Sequence, residues 1–138
     1  MALKKYAVKL KRPFITNLHQ QTHAEGYILS LTVQSDDRIY TTGYGEAVPS
    51  PKVTGDTIES IPFVINELIR PALLKKSFET PVEVDSFVSD LIVFNSAARL
   101  AVSEAIYDAF ARQSGQPIAE YLGGKSQAII TDYTLSIS

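Results

Sequence analysis

The sequence predicts an α+β fold in which a three-stranded antiparallel meander precedes a bundle of three to four helices. Apolar residues alternate with polar ones at a period of two through the first third of the chain. From about residue 56 onward they recur at helical spacing instead. The composition, with 45% hydrophobic and 20% charged residues among 138, is that of a globular domain with one cooperative core.

Three strands account for the first third of the chain. In the first strand Tyr6, Val8 and Leu10 alternate with positively charged residues, a pattern typical of an edge strand that outward lysines keep soluble. The second strand begins at residue 27 and alternates through 34. A polar turn follows it, and the third strand covers 39–46.

Two segments between these elements are predicted to be irregular. The linker 14–25 is too long for a tight hairpin and is rich in Thr, Asn, Gln and His, which indicates a loop. The stretch 47–56 follows the third strand, and Pro49 and Pro51 oppose both strand pairing and helix there.

Capping signals mark the first two helices. Asp56 and Glu59 have the spacing of a capping box at the start of the first helix. Pro62 is expected to delay its regular part, and Pro71 to bend or end it. The run Thr-Pro-Val-Glu at 80–83 starts the second helix, with a threonine cap, a proline at the first helical position and a glutamate at the third.

The third helix is predicted to be the longest. Asn95 or Ser96 caps it, it runs through Gln113, and Gly115 stops it. Small residues form a seam along it that permits close packing of a neighbouring element. This seam consists of Ala98, Ala101, Ala105 and Ala109.

The C-terminal part combines a short helix with an apolar run. The helix begins at Pro117, buries Ile118 and Leu122, and ends at the glycines 123–124. The run at about 129–138 reads as a strand, but no later residues could pair with it or cover it. We therefore expect the sequence to continue into a second domain.

Composition also restricts the class of function. The chain has no cysteine, so neither a disulfide framework nor a thiolate site is expected. Five of its first twelve residues are Lys or Arg, but the net charge of −2 argues against a nucleic-acid partner. No apolar run approaches the roughly 18 residues that span a bilayer, and the N-terminus lacks a secretory signal. A cytoplasmic protein is expected.

His19 and His23 are candidate metal ligands because they lie four residues apart, with Glu25 two further on. On a helix this spacing would place two imidazoles on one face. The segment is not predicted to be helical, however. A loop that faces solvent or substrate is therefore favoured over a metal site.

Glu104 and Asp108 lie four residues apart on the long helix, where like charges repel unless each has a partner. Arg112 is one turn further along, so a structural ion-pair ladder is favoured over an acid/base pair. The run Gly-Tyr-Gly-Glu at 43–46 lacks the following helix of a phosphate loop. Its glycines indicate a bulge or a close approach of another backbone.

The order of the motifs resembles the N-terminal capping domain of the enolase superfamily, in the mandelate racemase/muconate lactonizing enzyme branch. Within that branch the chain is most similar to dipeptide epimerases related to L-Ala-D/L-Glu epimerase. Caps of muconate cycloisomerases, o-succinylbenzoate synthases and N-acyl amino acid racemases are the alternatives. The motifs are Arg12-Pro13-Phe14, Gly43-Tyr44-Gly45-Glu46-Ala47-Val48-Pro49, Thr54-Gly55-Asp56, Ala101-Val102-Ser103-Glu104-Ala105-Ile106-Tyr107-Asp108, Gly115-Gln116-Pro117-Ile118 and Leu122-Gly123-Gly124.

The resemblance implies a cap over residues 1–124 and the start of a (β/α) barrel over 125–138. In such enzymes the barrel supplies paired lysines and the carboxylates that hold Mg²⁺, and the segments 14–25 and 47–56 would be lids over its mouth. A barrel takes about 250 residues, so no catalytic residue and no metal ligand is expected in this chain. The residues that match substrate-binding positions are Phe14, Thr16, His19, Val53, Thr54 and Thr134.

Two hypotheses of function follow. The first is the specificity-determining cap of a Mg²⁺-dependent dipeptide epimerase, which transfers a proton next to a carboxylate, and which would be inactive without its barrel. His19 stands where the Ala-Glu epimerases have an arginine, and a neutral imidazole cannot clamp a carboxylate in the bidentate manner of arginine. The second is a non-catalytic module that forms a homodimer through its C-terminal strand.

Overall fold

The computed structural model describes residues 1–15, 20–35, 38–125 and 127–132. Within these ranges a three-stranded sheet precedes a layer of helices, so the predicted α+β fold is confirmed. The strands are β1 (Ala2–Ile15), β2 (Gln20–Gln34) and β3 (Tyr40–Ala47). The helices are α1 (Ser60–Phe63), a π-helical stretch (Val64–Ile69), α2 (Arg70–Leu73), α3 (Pro81–Leu91), α4 (Ser96–Gln113) and α5 (Ile118–Tyr121).

The strands pair in chain order, β1-β2-β3, and both pairs are antiparallel. β1 is therefore an edge strand, as its alternating lysines predicted. The prediction that 14–25 forms a loop was wrong at both ends, since β1 continues to Ile15 and β2 begins at Gln20. The polar residues of 20–25 lie on a largely exposed two-stranded ribbon, whose ladder hydrogen bonds do not require an apolar face. A register shift between Lys9 and Phe14 interrupts the ribbon.

A capping box starts the first helical segment, but at residues other than the predicted ones. The amide of Ser60 donates to Thr57 Oγ1 at 3.1 Å, and the amide of Thr57 donates to Ser60 Oγ at 2.9 Å. The prediction that Asp56 and Glu59 form the box was wrong, because the Asp56 carboxylate is bound elsewhere. Pro71 does not end the segment, which passes through the π-helical stretch and continues to the end of α2.

The start of α3 is as predicted. Thr80 Oγ1 accepts a hydrogen bond from the Glu83 amide at 3.3 Å, and Pro81 occupies the first turn. For α4, Asn95 is the N-cap residue, as one of the two predicted alternatives had it. Asn95 takes the position before the helix with a φ of +63°, and its side chain makes no capping hydrogen bond.

The backbone of β3 lies against the backbone of α4. A Cβ atom on Gly43 would come within 2.1 Å of the Ala105 carbonyl oxygen, and one on Gly45 within 2.0 Å of the Ala101 carbonyl oxygen. All four alanines of the predicted seam are fully buried (Ala98, Ala101, Ala105 and Ala109). The seam and the close approach are thus confirmed, and they place α4 directly on one face of the sheet.

Carboxylates of α4 occupy the outer edge of β3. Asp108 accepts from the Tyr44 amide at 2.9 Å, and Glu104 accepts from the Glu46 amide at 2.8 Å. Arg112 pairs with Asp108 at 2.9 Å. The structural interpretation of these acids is confirmed, although the partner of Glu104 is a backbone amide and not Arg112.

The C-terminal elements are more exposed than expected. The prediction that α5 buries Ile118 and Leu122 was wrong, since they are 41% and 62% exposed. This helix of one turn packs mainly against α4, and so short an element can bury little of its surface. Residues 127–132 form no strand, and Ile129 is 85% exposed. The rest of the strand predicted at about 129–138 lies outside the described residues.

On the opposite face of the sheet, a tyrosine reaches over a glycine. Tyr6 pairs in register with Gly26, and its hydroxyl donates to Glu46 Oε1. A Cβ atom on Gly26 would lie 2.9 Å from the Tyr6 hydroxyl oxygen, so glycine leaves room for the ring. Burial raises the pKa of Tyr6 to about 12, and the hydrogen bond to Glu46 and its negative charge act in the same direction.

We expect Gly45→Ala to lower the free energy of unfolding by about 3 kcal/mol or more, because the new methyl group overlaps a helix backbone that cannot move independently. Urea unfolding followed by circular dichroism measures this loss. Gly115→Ala is the matched control, since its φ of +68° adds strain but no atom of the described residues lies within 4 Å of the new Cβ. It should cost about 1 kcal/mol. Equal losses in the two variants would contradict the close approach.

The raised pKa of Tyr6 predicts a specific dependence of stability on pH. The hydrogen bond to Glu46 requires the neutral phenol, so its contribution is complete below pH 10 and is lost as the pH rises through about 12. The difference in unfolding free energy between the native chain and Tyr6→Phe should therefore shrink over that interval. Absorbance at 295 nm should also show a tyrosine that ionises near pH 12, and Tyr6→Phe should remove that step. A difference that is constant with pH would contradict the assignment.

Candidate functional site

The segment between β3 and α1 is a loop with two buried ends. Ala47, the last residue of β3, is 0% exposed, and Asp56 is 1% exposed. Val53, near the tip, is 84% exposed. The loop is thus fixed where it leaves the sheet and where it returns to the helices, and it holds an apolar side chain in solvent between these points.

Hydrogen bonds within the loop fold its tip into a turn. The amides of Val53 and Thr54 both donate to the carbonyl oxygen of Ser50, at 3.0 and 2.9 Å. The Thr54 hydroxyl donates to the same oxygen at 3.2 Å and accepts from the Asp56 amide at 3.5 Å. Gly55 lies between them with a φ of +79°, a left-handed conformation that side chains disfavour. The prediction of an irregular segment is confirmed for residues 48–56, whereas Ala47 still belongs to β3.

Asp56 joins this loop to the N-terminus of α4. Its Oδ2 accepts from the Ser96 hydroxyl at 3.1 Å and from the Ala97 amide at 3.3 Å. The first amides of a helix have no partner within the helix, and the helix dipole favours a negative charge there. The carboxylate therefore caps a helix that begins 40 residues later in the chain. Oδ1 of Asp56 has no hydrogen-bond partner among the described residues.

A shallow cleft of about 490 Å³ lies beside the loop. Thr54 and Val48 line it from the loop, and Ser96, Arg99 and Leu100 line it from α4. The guanidinium of Arg99 donates to the carbonyl oxygen of Val93 at 3.2 Å and to the hydroxyl of Ser89 at 2.7 Å, so it is held against the end of α3. The cleft combines hydroxyl groups with the apolar side chains of Val48 and Leu100.

The strand register places the two predicted lids at the same end of the sheet. Tyr27 pairs with Ala47, where β3 ends, and Gln21 pairs with Phe14 near the end of β1. The β1-β2 ribbon therefore extends roughly 20 Å beyond β3, at about 3.3 Å per residue. The end of β1, the start of β2 and the loop after β3 thus lie toward the same end of the sheet.

Three of the six predicted substrate-binding residues fall in described parts of the chain. Val53 and Thr54 lie together in the turn of the loop, both exposed, and Phe14 is half-buried on the ribbon. Thr16, His19 and Thr134 lie outside the described residues, as does any pairing of His19 with His23. Among the described residues no group of three His, Cys, Asp or Glu side chains could hold a metal ion. In the same ranges no helix is both long and apolar enough to cross a membrane.

The family model described as "Mandelate racemase / muconate lactonizing enzyme, N-terminal domain" matches residues 2–123 of this chain. The chain belongs to this family, within the enolase superfamily. The resemblance of its motifs to that superfamily, and the fold they implied, are therefore confirmed. The family's N-terminal domain here consists of the sheet and the helices α1–α5.

Relatives of this mandelate racemase/muconate lactonizing enzyme domain include dipeptide epimerases. An L-Ala-D/L-Glu epimerase from Bacillus subtilis is 36% identical over 132 residues, which are 96% of this chain and 35% of that protein. A substrate-liganded structure of the L-Ala-D/L-Glu epimerase from Bacillus subtilis superposes with a TM-score of 0.85 at 34% identity, over 99% of this chain and 37% of that one.

A dipeptide epimerase from Cytophaga hutchinsonii, complexed with Mg and the dipeptide D-Ala-L-Val, superposes with a TM-score of 0.80 at 33% identity. That match covers 99% of this chain and 36% of the other. The chain thus spans about a third of the length of the curated relatives that it matches.

Two contacts that organise the domain were not expected from the sequence. Asp56 was assigned to the nearest helix, because a capping-box spacing is visible locally while a partner 40 residues away is not. The Tyr6 to Glu46 hydrogen bond crosses the middle strand, and its only sequence signal is the glycine at 26. Both contacts are non-local, so the spacing of neighbouring residues gives no information about them.

We expect Gly55→Ala to destabilise the domain by about 1 kcal/mol, because alanine is strained at a φ of +79°. The position is open, with no described atom within 4 Å of the new Cβ, so overlap adds nothing. Gly55→Asn is the matched control, since asparagine tolerates this conformation better than alanine does. In urea unfolding, the native chain should have the highest free energy of unfolding, Gly55→Asn an intermediate one and Gly55→Ala the lowest. An alanine variant as stable as the native chain would contradict the left-handed assignment.

Proposed function

We propose that this chain is the specificity-determining cap of a dipeptide epimerase. The reaction would remove and return the proton next to the carboxylate of a dipeptide, on a catalytic domain that this chain does not contain. The loop 47–56 and the connection from β1 to β2 would then contact the substrate as lids over the mouth of that catalytic domain. Residues 125–138 would begin the catalytic barrel.

The observation that carries this proposal is the anchored loop. An 84% exposed Val53, on a loop whose two ends are buried, is held in place without being covered by any described residue. A side chain presented in this way suits contact with a ligand, because its position is fixed before the ligand arrives. The similarity to dipeptide epimerases extends over 96% of the chain and so includes this loop.

Magnesium enters the proposal through the relatives alone. The Cytophaga hutchinsonii epimerase structure contains Mg, whereas the described residues of this chain offer no group of carboxylates that fits the ion. We therefore assign its ligands to the remainder of the enzyme and derive no step through the metal. The contribution of this chain is to bind and orient the dipeptide.

His19 suggests which dipeptides the enzyme accepts. By the resemblance it takes the place of an arginine that binds an acidic side chain of the substrate. A neutral imidazole cannot replace the two parallel hydrogen bonds of a guanidinium. We propose that the second residue of the preferred dipeptide is not acidic.

The test uses the full-length enzyme in D₂O, with loss of the α-proton signal followed by NMR. We expect the enzyme to exchange the α-proton of Ala-X dipeptides whose second residue is neutral. Its KM for L-Ala-L-Glu should be higher than its KM for these dipeptides. His19→Arg should lower the KM for L-Ala-L-Glu about tenfold or more, as expected for a charge-assisted pair. His23→Arg is the matched control and should leave this KM unchanged.

Two further outcomes would contradict the proposal. If residues 1–138 alone exchanged the α-proton of a dipeptide, the chain would be more than a cap. A full-length enzyme that exchanges the α-proton of no dipeptide but turns over a muconate or an o-succinylbenzoate precursor would belong to another subgroup of the same branch. The homodimer hypothesis is tested separately by analytical sedimentation. A monomeric mass at every protein concentration would contradict it.

A further inference from the structure

The loop 47–56 has one attachment to the helical layer that the proposed function does not require and that no local signal predicts. This attachment is the carboxylate of Asp56. The residue is only 1% exposed, and its carboxylate accepts hydrogen bonds from Ser96 and Ala97. Its partners belong to α4, the helix that lies against the sheet. The loop is therefore fixed to the helix that packs against the sheet.

The attachment is continuous with the tip of the loop. The Asp56 amide donates to the Thr54 hydroxyl, and the Thr54 hydroxyl and amide both donate to the carbonyl oxygen of Ser50. Val53 lies inside this turn, and its own amide donates to the same oxygen. A displacement of Asp56 would therefore move the turn as a unit.

Charge explains why an acid suits this position. Both contacts of Oδ2 are with groups at the N-terminus of an 18-residue helix, where partial positive charge accumulates. No described side chain forms an ion pair with Asp56, and its second oxygen has no hydrogen-bond partner among the described residues. The orientation of the carboxylate thus depends on the helix terminus. An uncharged residue would bind there more weakly.

We propose that Asp56 is a positioning residue for substrate recognition, which sets where Val53 and Thr54 project by fixing the loop to the N-terminus of α4. This inference rests on the proposed function, because it takes the loop to be a lid over the dipeptide. Asp56 itself does not contact the substrate in this scheme. It acts through the turn 50–54.

The experiment compares Asp56→Ala with a matched control, Thr80→Ala. Both variants remove the side chain that caps a helix, and cap losses of this kind change the folding equilibrium by roughly fivefold to thirtyfold. Only Asp56 is connected to the loop, since Thr80 caps α3. In the full-length enzyme we expect the KM for the dipeptide to rise at least about tenfold in Asp56→Ala and to stay unchanged in Thr80→Ala. Equal KM values in the two variants would overturn the proposal.

A second readout does not depend on activity. In this chain the amides of Val53 and Thr54 are protected by the Ser50 carbonyl oxygen, so their hydrogen exchange reports the order of the turn. We expect both amides to exchange at least about fivefold faster in Asp56→Ala than in Thr80→Ala. Unchanged exchange would overturn the anchor. Faster exchange in an enzyme that turns over no dipeptide would retain the anchor and overturn the proposed function.

Milder variants keep the test decisive if Asp56→Ala does not fold. Ser96→Ala removes one of the two contacts of Oδ2 and leaves the other. Asp56→Asn keeps an acceptor oxygen but removes the charge. Both should give intermediate increases in KM and in the exchange of the Val53 and Thr54 amides. Native values for both variants would overturn the proposal.

Discussion

The direct contact between the backbones of β3 and α4 determines most of this structure. Two glycines on the strand and the alanine seam on the helix bring the elements closer than any larger side chains would permit. Glycine has a cost within a strand, because it loses more conformational freedom on folding and offers no side chain for packing. The fold offsets this cost by burying the small residues of α4 against the sheet. The position of the helix is therefore fixed along its length.

The position of α4 has consequences at its middle and at its start. In the middle, Glu104 and Asp108 reach the edge amides of β3, so that the helix binds the strand through side chains as well as through packing. At the start, the unpaired amides of the helix meet Asp56. The loop that carries Val53 is thus located relative to the sheet through one rigid helix. The proposed recognition surface depends on the same contact as the core.

Much of this arrangement could be predicted because its signals are local. Period-two alternation gave the strands, the Thr80 to Glu83 spacing gave the start of α3, and the alanine spacing gave the packed face of α4. The errors arose where local signals compete with distant ones. Asp56 fits a local capping box, but a helix terminus 40 residues away binds it.

Exposure explains the other errors. The polar residues of 14–25 suggested a loop, but polarity reports contact with solvent, and an exposed ribbon satisfies its backbone within itself. The apolar Ile118 suggested a buried face, but a helix of one turn provides few neighbours. For the candidate site, motif order pointed to the loop 47–56, while the attachment of that loop to α4 could be seen only in the structure.

The carboxylates along β3 also bear on how the folded domain meets other copies of itself. An uncovered strand edge is a template on which a second sheet can grow, and side-chain acceptors that take up the outward amides remove that template. In β3 the amides of Tyr44 and Glu46 are taken up in this way, which closes the second half of that edge to another strand. β1 is the other edge of the sheet, and it carries Lys4, Lys5, Lys9 and Lys11. A second copy of β1 laid alongside would bring these like charges close together, which opposes pairing. The two edges of the sheet are thus protected by different means. Carboxylates bind amides of β3, and like charges repel a second copy of β1.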